Sequence, residues 1–460
     1  MTTERPIPID RLSPIDAAFL HVEDRSNRMQ LAGMLIFDAD PPGFAEFREA
    51  IVRSLPLLPH FRQWVRPGTL ALRRPSWVDD ADFDVDYHLH HVALPAPGGP
   101  AEIAGMIDDL TAQPLDLQRS PWELTLVEGL AGGGFALALK VHHCMVDGLS
   151  IMDIFAVLCS PDPHYRHPEP APWTPTPAPA LWKRRAARPR RSAAGTPLDA
   201  LRRLPRAARL AGRAPVTRFN SGPSSAVRRT EYLTVPLSVI HDIRRAHGTT
   251  VNNAVLATVT GALQRYLSRH DELVDELYAF VPVNRRADAE RGTHGNRIAM
   301  TYPALPVGEL EPNRRVEAVL AAVDAAARSR QAEDTAALAD LTRYTPQPVA
   351  AAINRAMQLR SRIFNLTVTN VPGPPIPVYF LGRQLSLILG ATPLTRKHAL
   401  TVAVLSYKGN MTFSVTTDPR RVPDLDDLMT DFRSELDLLH ALAGGPVADP
   451  STVPTTRSTP

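Results

Sequence analysis

Two adjacent histidines, followed by an aspartate and a glycine, are the residues with the clearest capacity for chemistry. Three residues separate His143 from Asp147, and Gly148 follows directly. A neutral imidazole can take a proton from a hydroxyl group near physiological pH without a covalent intermediate. The pattern therefore predicts a general base, with Asp147 holding the loop and Gly148 permitting a tight turn. The structural alternative is that His142 and His143 are core residues and Asp147 is a helix N-cap.

The residues around this motif predict a strand before it and a helix after it. From Phe135 to Val141, bulkier apolar residues alternate with Ala or Lys at a period of two, which is typical of a strand. Apolar residues then recur at helical spacing, so a helix should begin near Asp147 or Gly148. Neighbouring strand residues face opposite ways, so only one of the two histidines can face a given pocket. In a regular strand, His143 shares its face with Leu139 and Val141.

Length and composition place the protein among globular proteins of two domains. The chain has 460 residues, of which 44% are hydrophobic and 22% charged, and its net charge is +3. That charge is too small to indicate nucleic acid binding. The two cysteines, Cys144 and Cys159, exclude a disulfide scaffold and fit a reducing cytoplasm. The sequence contains no signal peptide and no apolar run of about 18 residues, so we expect no membrane-spanning helix.

Strands mixed with helices in both halves predict an α/β or α+β fold with two sheets. We expect an N-terminal subdomain at 1–165, a linker rich in Pro and Arg at 166–218, a C-terminal subdomain at 219–446 and a disordered tail at 447–460. The basic linker is either a solvated connection or a patch for anionic lipid head groups. It lacks the interleaved aromatic residues that would favour nucleic acid.

Candidate residues in the second half lie at the ends of predicted elements. Thr250 is expected to cap a long helix whose first turn contains Asn252 and Asn253, and Arg286 follows a strand over 277–283. In the first half, His88 and His90 would share a strand face. Their spacing matches no common zinc pattern, so we predict no metal site.

Several motifs, in this order along the chain, resemble the bacterial wax ester synthase/acyl-CoA:diacylglycerol acyltransferases. The resemblance covers almost everything except the linker and both ends. One position departs from the family pattern, since Asn253 stands where the family usually has Asp. The motifs are Ser13-Pro14-Ile15-Asp16, the segment 77–95, His142-His143 with Asp147-Gly148, Phe219-Asn220 with Arg228-Arg229, Thr250-Val251-Asn252-Asn253, Pro282-Val283-Asn284-Arg285-Arg286 with Gly295-Asn296, Asn370-Val371-Pro372-Gly373-Pro374, and Ser406-Tyr407 with Gly409.

This resemblance implies two chloramphenicol-acetyltransferase-like subdomains with the active site at their interface. It implies that His143 takes the proton of an acceptor hydroxyl while the oxygen attacks an acyl-CoA thioester, with His142 in support. Asn252 is the candidate donor to the developing oxyanion or a substrate-positioning residue. Asp147 would be structural, with Arg286 as its candidate partner. Acyl-CoA is then a co-substrate and no cofactor is expected.

The expected acceptor is diacylglycerol, giving triacylglycerol. A long-chain alcohol, giving wax ester, or another hydroxyl acceptor is the alternative within the same chemistry. A hydrophobic acceptor implies peripheral attachment to the inner membrane face or to lipid droplets, in the cytoplasm. The same fold also occurs in domains that condense carrier-bound acyl groups, but no carrier domain is visible here. A non-catalytic lipid-binding or droplet-associated protein is the alternative of another class.

Overall fold

The computed structural model describes residues 11–68, 74–145, 151–176, 214–222, 225–284, 298–329, 348–349, 351–352 and 362–445. Asp147, Gly148, Arg286, most of the 166–218 linker and the predicted tail at 447–460 lie outside these ranges. In the part of the chain that is described, no helix combines the length and apolar character needed to cross a bilayer.

The α-helices alternate with strands along both halves. In chain order they are α1 (Pro14–Val22), α2 (Phe44–Ser54), α3 (Pro100–Ala112), α4 (Ile151–Leu158), α5 (Leu237–Ala246), α6 (Val251–Arg269), α7 (Pro312–Arg328) and α8 (Leu425–Leu442). Local capping explains two helix starts, of which the sequence predicted the one at Thr250. The Ser13 side chain accepts the backbone N–H of Asp16, and the Thr250 side chain accepts that of Asn253.

The strands form two large sheets and one small hairpin. They are β1 (Gln30–Phe37), β2 (Gln63–Arg66), β3 (Ser76–Asp79), β4 (Leu89–Ala93), β5 (Trp122–Glu128), β6 (Phe135–His142), β7 (Arg229–Pro236), β8 (Leu277–Asn284), β9 (Ile298–Thr301), β10 (Ala304–Leu305), β11 (Leu366–Pro372), β12 (Tyr379–Phe380), β13 (Arg383–Ala391), β14 (Leu400–Tyr407) and β15 (Asn410–Thr417). The hairpin β2–β3 stands apart from the large sheets.

The first sheet has the strand order β12-β13-β1-β6-β5-β4, and the second has the order β10-β8-β11-β14-β15-β7, with β9 paired to β8. In the second sheet, β11 runs parallel to both β8 and β14. The hairpin β14–β15 turns at Lys408 and Gly409, which both have positive φ angles. Two mixed sheets with helices confirm the predicted fold class.

Strand β13 changes how the predicted subdomains must be drawn. It belongs to the second half of the sequence, yet it pairs antiparallel with β1, with Ala32 opposite Ala391 and Leu35 opposite Ile388. The boundary predicted at residue 219 therefore separates two stretches of sequence but not the two sheets. The C-terminal stretch contributes strands to both.

Strand β14 joins the two hydrophobic cores because its side chains alternate between them. Val402 and Val404 lie in the core of the second half, whereas Ala403, Leu405 and Tyr407 lie in the core of the first. A Cβ atom at Gly390 of β13 would lie 2.9 Å from Cδ1 of Leu405, so the two sheets pack closely there. The two cores therefore meet along a seam formed by β14.

Candidate active site

The two histidines lie at the C-terminal end of β6, an interior strand of the first sheet. All eight of its residues are buried, because β1 and β5 flank it. The strand ends at His142, opposite Gln30, and His143–Met145 then form a single 3-10 turn. The predicted strand is thus confirmed. The prediction that His143 continues the face of Leu139 and Val141 is wrong, because the chain leaves the strand at His142.

His142 is a fully buried residue that holds this turn. Its Nδ1 accepts the backbone N–H of Cys144 at 3.1 Å, so the ring proton must reside on Nε2. Nε2 lies 3.1 Å from the carboxylate of Glu23 and donates to it. Both ring nitrogens are therefore engaged in positioning the backbone. His142 cannot exchange a proton with a substrate without breaking one of these bonds.

His143 is held by its backbone and by one aromatic contact. Its backbone N–H donates to the carbonyl of Met29 at 2.7 Å, and its ring stacks on Phe19 of α1 with 3.9 Å between ring centroids. Part of the residue remains accessible. Burial, together with the adjacent His142 ring, lowers the pKa of His143 to about 4. The imidazole is therefore neutral at physiological pH, which is the form that accepts a proton.

Cys144 is fully buried and chemically inert. Loss of solvation raises the pKa of its thiol well above the ordinary value, and the nearby carboxylates of Asp16 and Glu23 add to this. Thiolate is the nucleophilic form of cysteine. The arrangement thus offers a neutral base at residue 143 and no nucleophile beside it.

Helix α4, which follows the motif, lies against the seam between the two halves. A Cβ atom at Gly33 of β1 would lie 2.7 Å from Cδ1 of Ile151 and 2.9 Å from Cζ of Phe155, so only glycine allows this approach. On the other side, the Cβ position of Gly373 lies 3.5 Å from Cε of Met152. The helix thus contacts the first sheet and the turn after β11.

The two asparagines at the start of α6 have different surroundings. Asn253 donates from Nδ2 to the hydroxyl of Thr249 at 3.0 Å. Its backbone N–H donates to the side-chain oxygen of Thr250, the N-cap residue. Asn252 is partly exposed, and its side chain makes no hydrogen bond with the described residues. The amide of Asn252 is therefore available to a ligand, at a helix N-terminus whose partial positive charge favours anions. The described contacts do not join Asn252 to His143.

The sequence reasoning missed Glu23, Phe19 and Met29, which make the direct contacts to the histidine pair. Glu23 follows the last turn of α1, and no local pattern relates it to His142. The only available signal was the family motif at 13–16, which marks this helix without indicating what it contacts. Asp147, Gly148 and Arg286 lie outside the described residues, so their assigned roles remain predictions.

The histidines near β4, His88 and His90, do not form a shared binding site, and His88 is held by contacts within the protein. His88 precedes β4 instead of sharing its face with His90, which corrects the predicted strand boundary. Its Nδ1 contacts the carbonyl of Trp122 at 2.9 Å, and its ring stacks on the Trp122 indole. Within the described ranges, no group of three or more His, Cys, Asp or Glu side chains is arranged to hold a metal ion.

Comparison with known proteins matches both halves of the chain to one family. The model of the wax ester synthase/diacylglycerol acyltransferase catalytic domain matches residues 12–255, and the model of the WS/DGAT C-terminal domain matches residues 294–440. A curated relative, the probable diacylglycerol O-acyltransferase tgs2 of Mycobacterium tuberculosis, is 30% identical over 466 aligned positions, covering 95% of this chain and all of the relative.

Solved structures extend the likeness to the whole fold. The wax ester synthase/diacylglycerol acyltransferase of Marinobacter aquaeolei VT8 superposes with a TM-score of 0.70 at 26% identity, covering 95% of this chain and 100% of that one. The trichothecene 15-O-acetyltransferase of Fusarium sporotrichioides, at 12% identity, shares the fold with a TM-score of 0.63 over 94% of both chains. The chain therefore belongs to the wax ester synthase/diacylglycerol acyltransferase family of acyl-CoA-dependent O-acyltransferases.

Proposed function

We propose that the protein transfers a long-chain acyl group from acyl-CoA to the hydroxyl of diacylglycerol, with His143 as the general base. The observation that carries this proposal is that the two histidines have different hydrogen-bonding environments. His142 uses both ring nitrogens to hold the turn, whereas the imidazole of His143 is neutral and its Nδ1 makes no hydrogen bond within the described residues. The name of the tgs2 relative supports diacylglycerol as the acceptor.

The reaction requires one proton to move twice. The imidazole of His143 takes the proton of the acceptor hydroxyl as the oxygen attacks the thioester carbonyl. The tetrahedral oxyanion then collapses, the C–S bond breaks, and the leaving thiolate of CoA takes the proton back from the imidazolium. Because the pKa of His143 is low, the imidazolium is stabilised mainly by the negative charge that develops beside it on the substrate.

Asn252 is the proposed donor to that oxyanion. Its side-chain amide has no partner among the described residues, and the first turn of α6 provides a favourable field for negative charge. Asp147 and Arg286 are proposed to pair and hold the motif loop. Neither residue is expected to touch the substrate.

The main alternative to the proposed function within the family differs only in the acceptor. A long-chain alcohol in place of diacylglycerol gives a wax ester by the same steps, and the name of the Marinobacter structure includes both activities. Either acceptor partitions into lipid, so we propose that the protein works in the cytoplasm at the inner membrane face or on lipid droplets.

Free-CoA release from palmitoyl-CoA tests the proposal, with dioleoylglycerol and hexadecanol offered separately. Release that requires dioleoylglycerol supports the proposed product, and release that requires hexadecanol moves the assignment to wax ester. The His143→Ala protein should lose about 10²- to 10⁴-fold in kcat, the range for removal of a general base. Folded wild-type protein that binds acyl-CoA and turns over with neither acceptor would favour the lipid-binding alternative.

A further inference from the structure

A cationic pocket of about 420 Å³ lies in the C-terminal half, apart from the histidine pair. Two loops and two further residues form its walls. The first loop contributes residues 220–222, the second contributes Arg396 and Lys397, and Val216 and Arg362 complete the lining. None of these residues belongs to the catalytic motif or to the oxyanion site proposed above.

Positive charge dominates this pocket. Arg362 and Lys397 have no carboxylate partner in the described part of the chain, while Arg396 pairs with Asp24 at 3.0 Å. A fourth cation, Arg421, lies behind both loops and donates to the carbonyls of Gly222 and Lys397. Asp24 and Asp418 compensate part of the charge of Arg396 and Arg421. Arg362 and Lys397 therefore remain free to bind an anion.

The loop that carries Arg396 and Lys397 is held by a buried histidine. His398 contacts the hydroxyl of Thr395 with Nδ1 and the carbonyl of Phe364 with Nε2, and its ring stacks on Phe364 at 3.9 Å. Ala399 follows directly, and its backbone N–H donates to the carbonyl of Phe219 at 2.8 Å. This network ties the second loop to the first.

The first loop is equally well supported. The side chain of Asn220 accepts the backbone N–H of Thr217 at 2.9 Å and donates to the carbonyl of Pro215 at 2.9 Å. Asn365 donates to the same carbonyl at 2.9 Å. Because buried polar side chains fix both loops, the cations project from a preorganised framework. Less conformational entropy is lost when such a site takes up a ligand.

Two adjacent acidic residues connect the pocket with the histidine pair, each through one hydrogen bond. Arg396 bonds Asp24, and the adjacent Glu23 bonds His142, which precedes His143 in the chain. The pocket therefore borders the same α1–β1 connection that supports the catalytic turn.

We propose that this pocket binds the phosphate groups of the acyl-CoA donor, an assignment that rests on the function proposed above. Phosphate is the anionic group of that substrate, and guanidinium and ammonium groups are its usual partners in proteins. The thioester lies at the opposite end of the pantetheine arm. Val216, more than half exposed in the pocket wall, offers an apolar surface beside the phosphate position.

The test compares two thioesters that differ only in the nucleotide. The double variant Arg362→Ala/Lys397→Ala should raise KM for palmitoyl-CoA at least about tenfold, since each ionic hydrogen bond is worth about tenfold in affinity. It should leave KM for S-palmitoyl-pantetheine, which has no nucleotide or phosphate, unchanged. Arg433→Ala, which removes an exposed cation from α8, is the matched control and should change neither value. Equal changes for both thioesters, or no change, would overturn the proposal.

Calorimetric titration with free CoA separates the pocket from the catalytic proposal. Weaker CoA binding in the double variant than in Arg433→Ala supports the pocket even if no acceptor gives turnover, in which case only the proposed function fails. Two further titrations distinguish other sources of phosphate. If the double variant loses binding to phosphatidylglycerol vesicles or to inorganic phosphate while its CoA binding is unchanged, the pocket serves a lipid head group or a free anion, and the assignment to acyl-CoA is wrong.

Discussion

Glu23 accepts a hydrogen bond from Nε2 of the buried His142 at 3.1 Å, across 119 positions of sequence. The bond fixes the imidazole tautomer, because the carboxylate can only accept. Nδ1 is then left unprotonated to accept the backbone N–H of Cys144, which closes the turn containing His143. Glu23 is thus a positioning residue for a base that it does not touch.

Replacing Glu23 by Gln should therefore lower kcat while leaving KM for acyl-CoA nearly unchanged. The Gln amide can rotate and present its NH₂ group, which favours the other tautomer of His142 and weakens the turn. Small misplacements of a catalytic group cost up to about 10²-fold in rate, and we expect a loss of about tenfold or more. Glu317→Gln, an exposed substitution on α7, is the control. A thermal shift large enough to unfold the variant at the assay temperature would instead indicate a role in stability alone.

Asn253→Asp restores the acid that the family usually has at this position, and it should have little effect on turnover. Asn253 serves the local cap of α6, through Thr249 and Thr250, and makes no described contact that requires charge. A carboxylate in the first turn of a helix stabilises it by about 0.3–1 kcal/mol. We expect a slightly higher melting temperature and a kcat within about twofold of wild type. A large gain in kcat would show that charge at this position matters for the chemistry.

Asp108 makes the contact between the halves sensitive to pH. It lies on α3 near Thr230 of β7, and burial raises its pKa to about 6 despite the opposing effects of Thr230 and nearby Arg229. Between about pH 4 and pH 6 the folded protein keeps a proton that the unfolded chain has lost. Asp108 therefore lowers the stability of the folded state as pH rises through this window.

Asp108→Asn, which cannot ionise, should accordingly be more stable than wild type at pH 8, by about 1–3 kcal/mol. The difference should vanish below pH 4, where Asp108 is protonated in both states. Denaturant unfolding at several pH values measures it. Asp82→Asn, at an exposed position outside this contact, is the control and should follow the wild type. A constant gain at every pH would mean that packing, and not ionisation, is responsible.

The effects of substituting Arg315 and Glu435, which form a buried ion pair, on the free energy of unfolding should be strongly non-additive. Their side chains are only 2% and 0% exposed and lie 2.5 Å apart, with Arg265 also bonded to the carboxylate. Glu435→Ala leaves the guanidinium of Arg315 uncompensated and should cost about 3–5 kcal/mol of unfolding free energy. The double variant Arg315→Met/Glu435→Leu should lose much less. Additive losses would contradict the coupling. The exposed pair Arg245–Asp242 provides the comparison, at about 0.5 kcal/mol or less.

The sequence by itself determined the local elements of this protein and the identity of its motif. The hydroxyl of Thr250 marked the start of a long helix, and the alternation after Phe135 predicted the strand that ends at the histidines. These features depend on interactions between residues a few positions apart, which local spacing records. The order of the motifs also identified the family.

Only the tertiary structure decided which surfaces meet. The pairing of β13 with β1, the division of β14 between two cores and the bond from Glu23 to His142 all join residues far apart in the chain. An apolar face shows that it will be buried but does not identify its partner, because burial free energy is non-directional. The separate roles of His142 and His143 depend on such partners. Only the folded protein therefore distinguishes His142, which supports the turn, from His143, the candidate base.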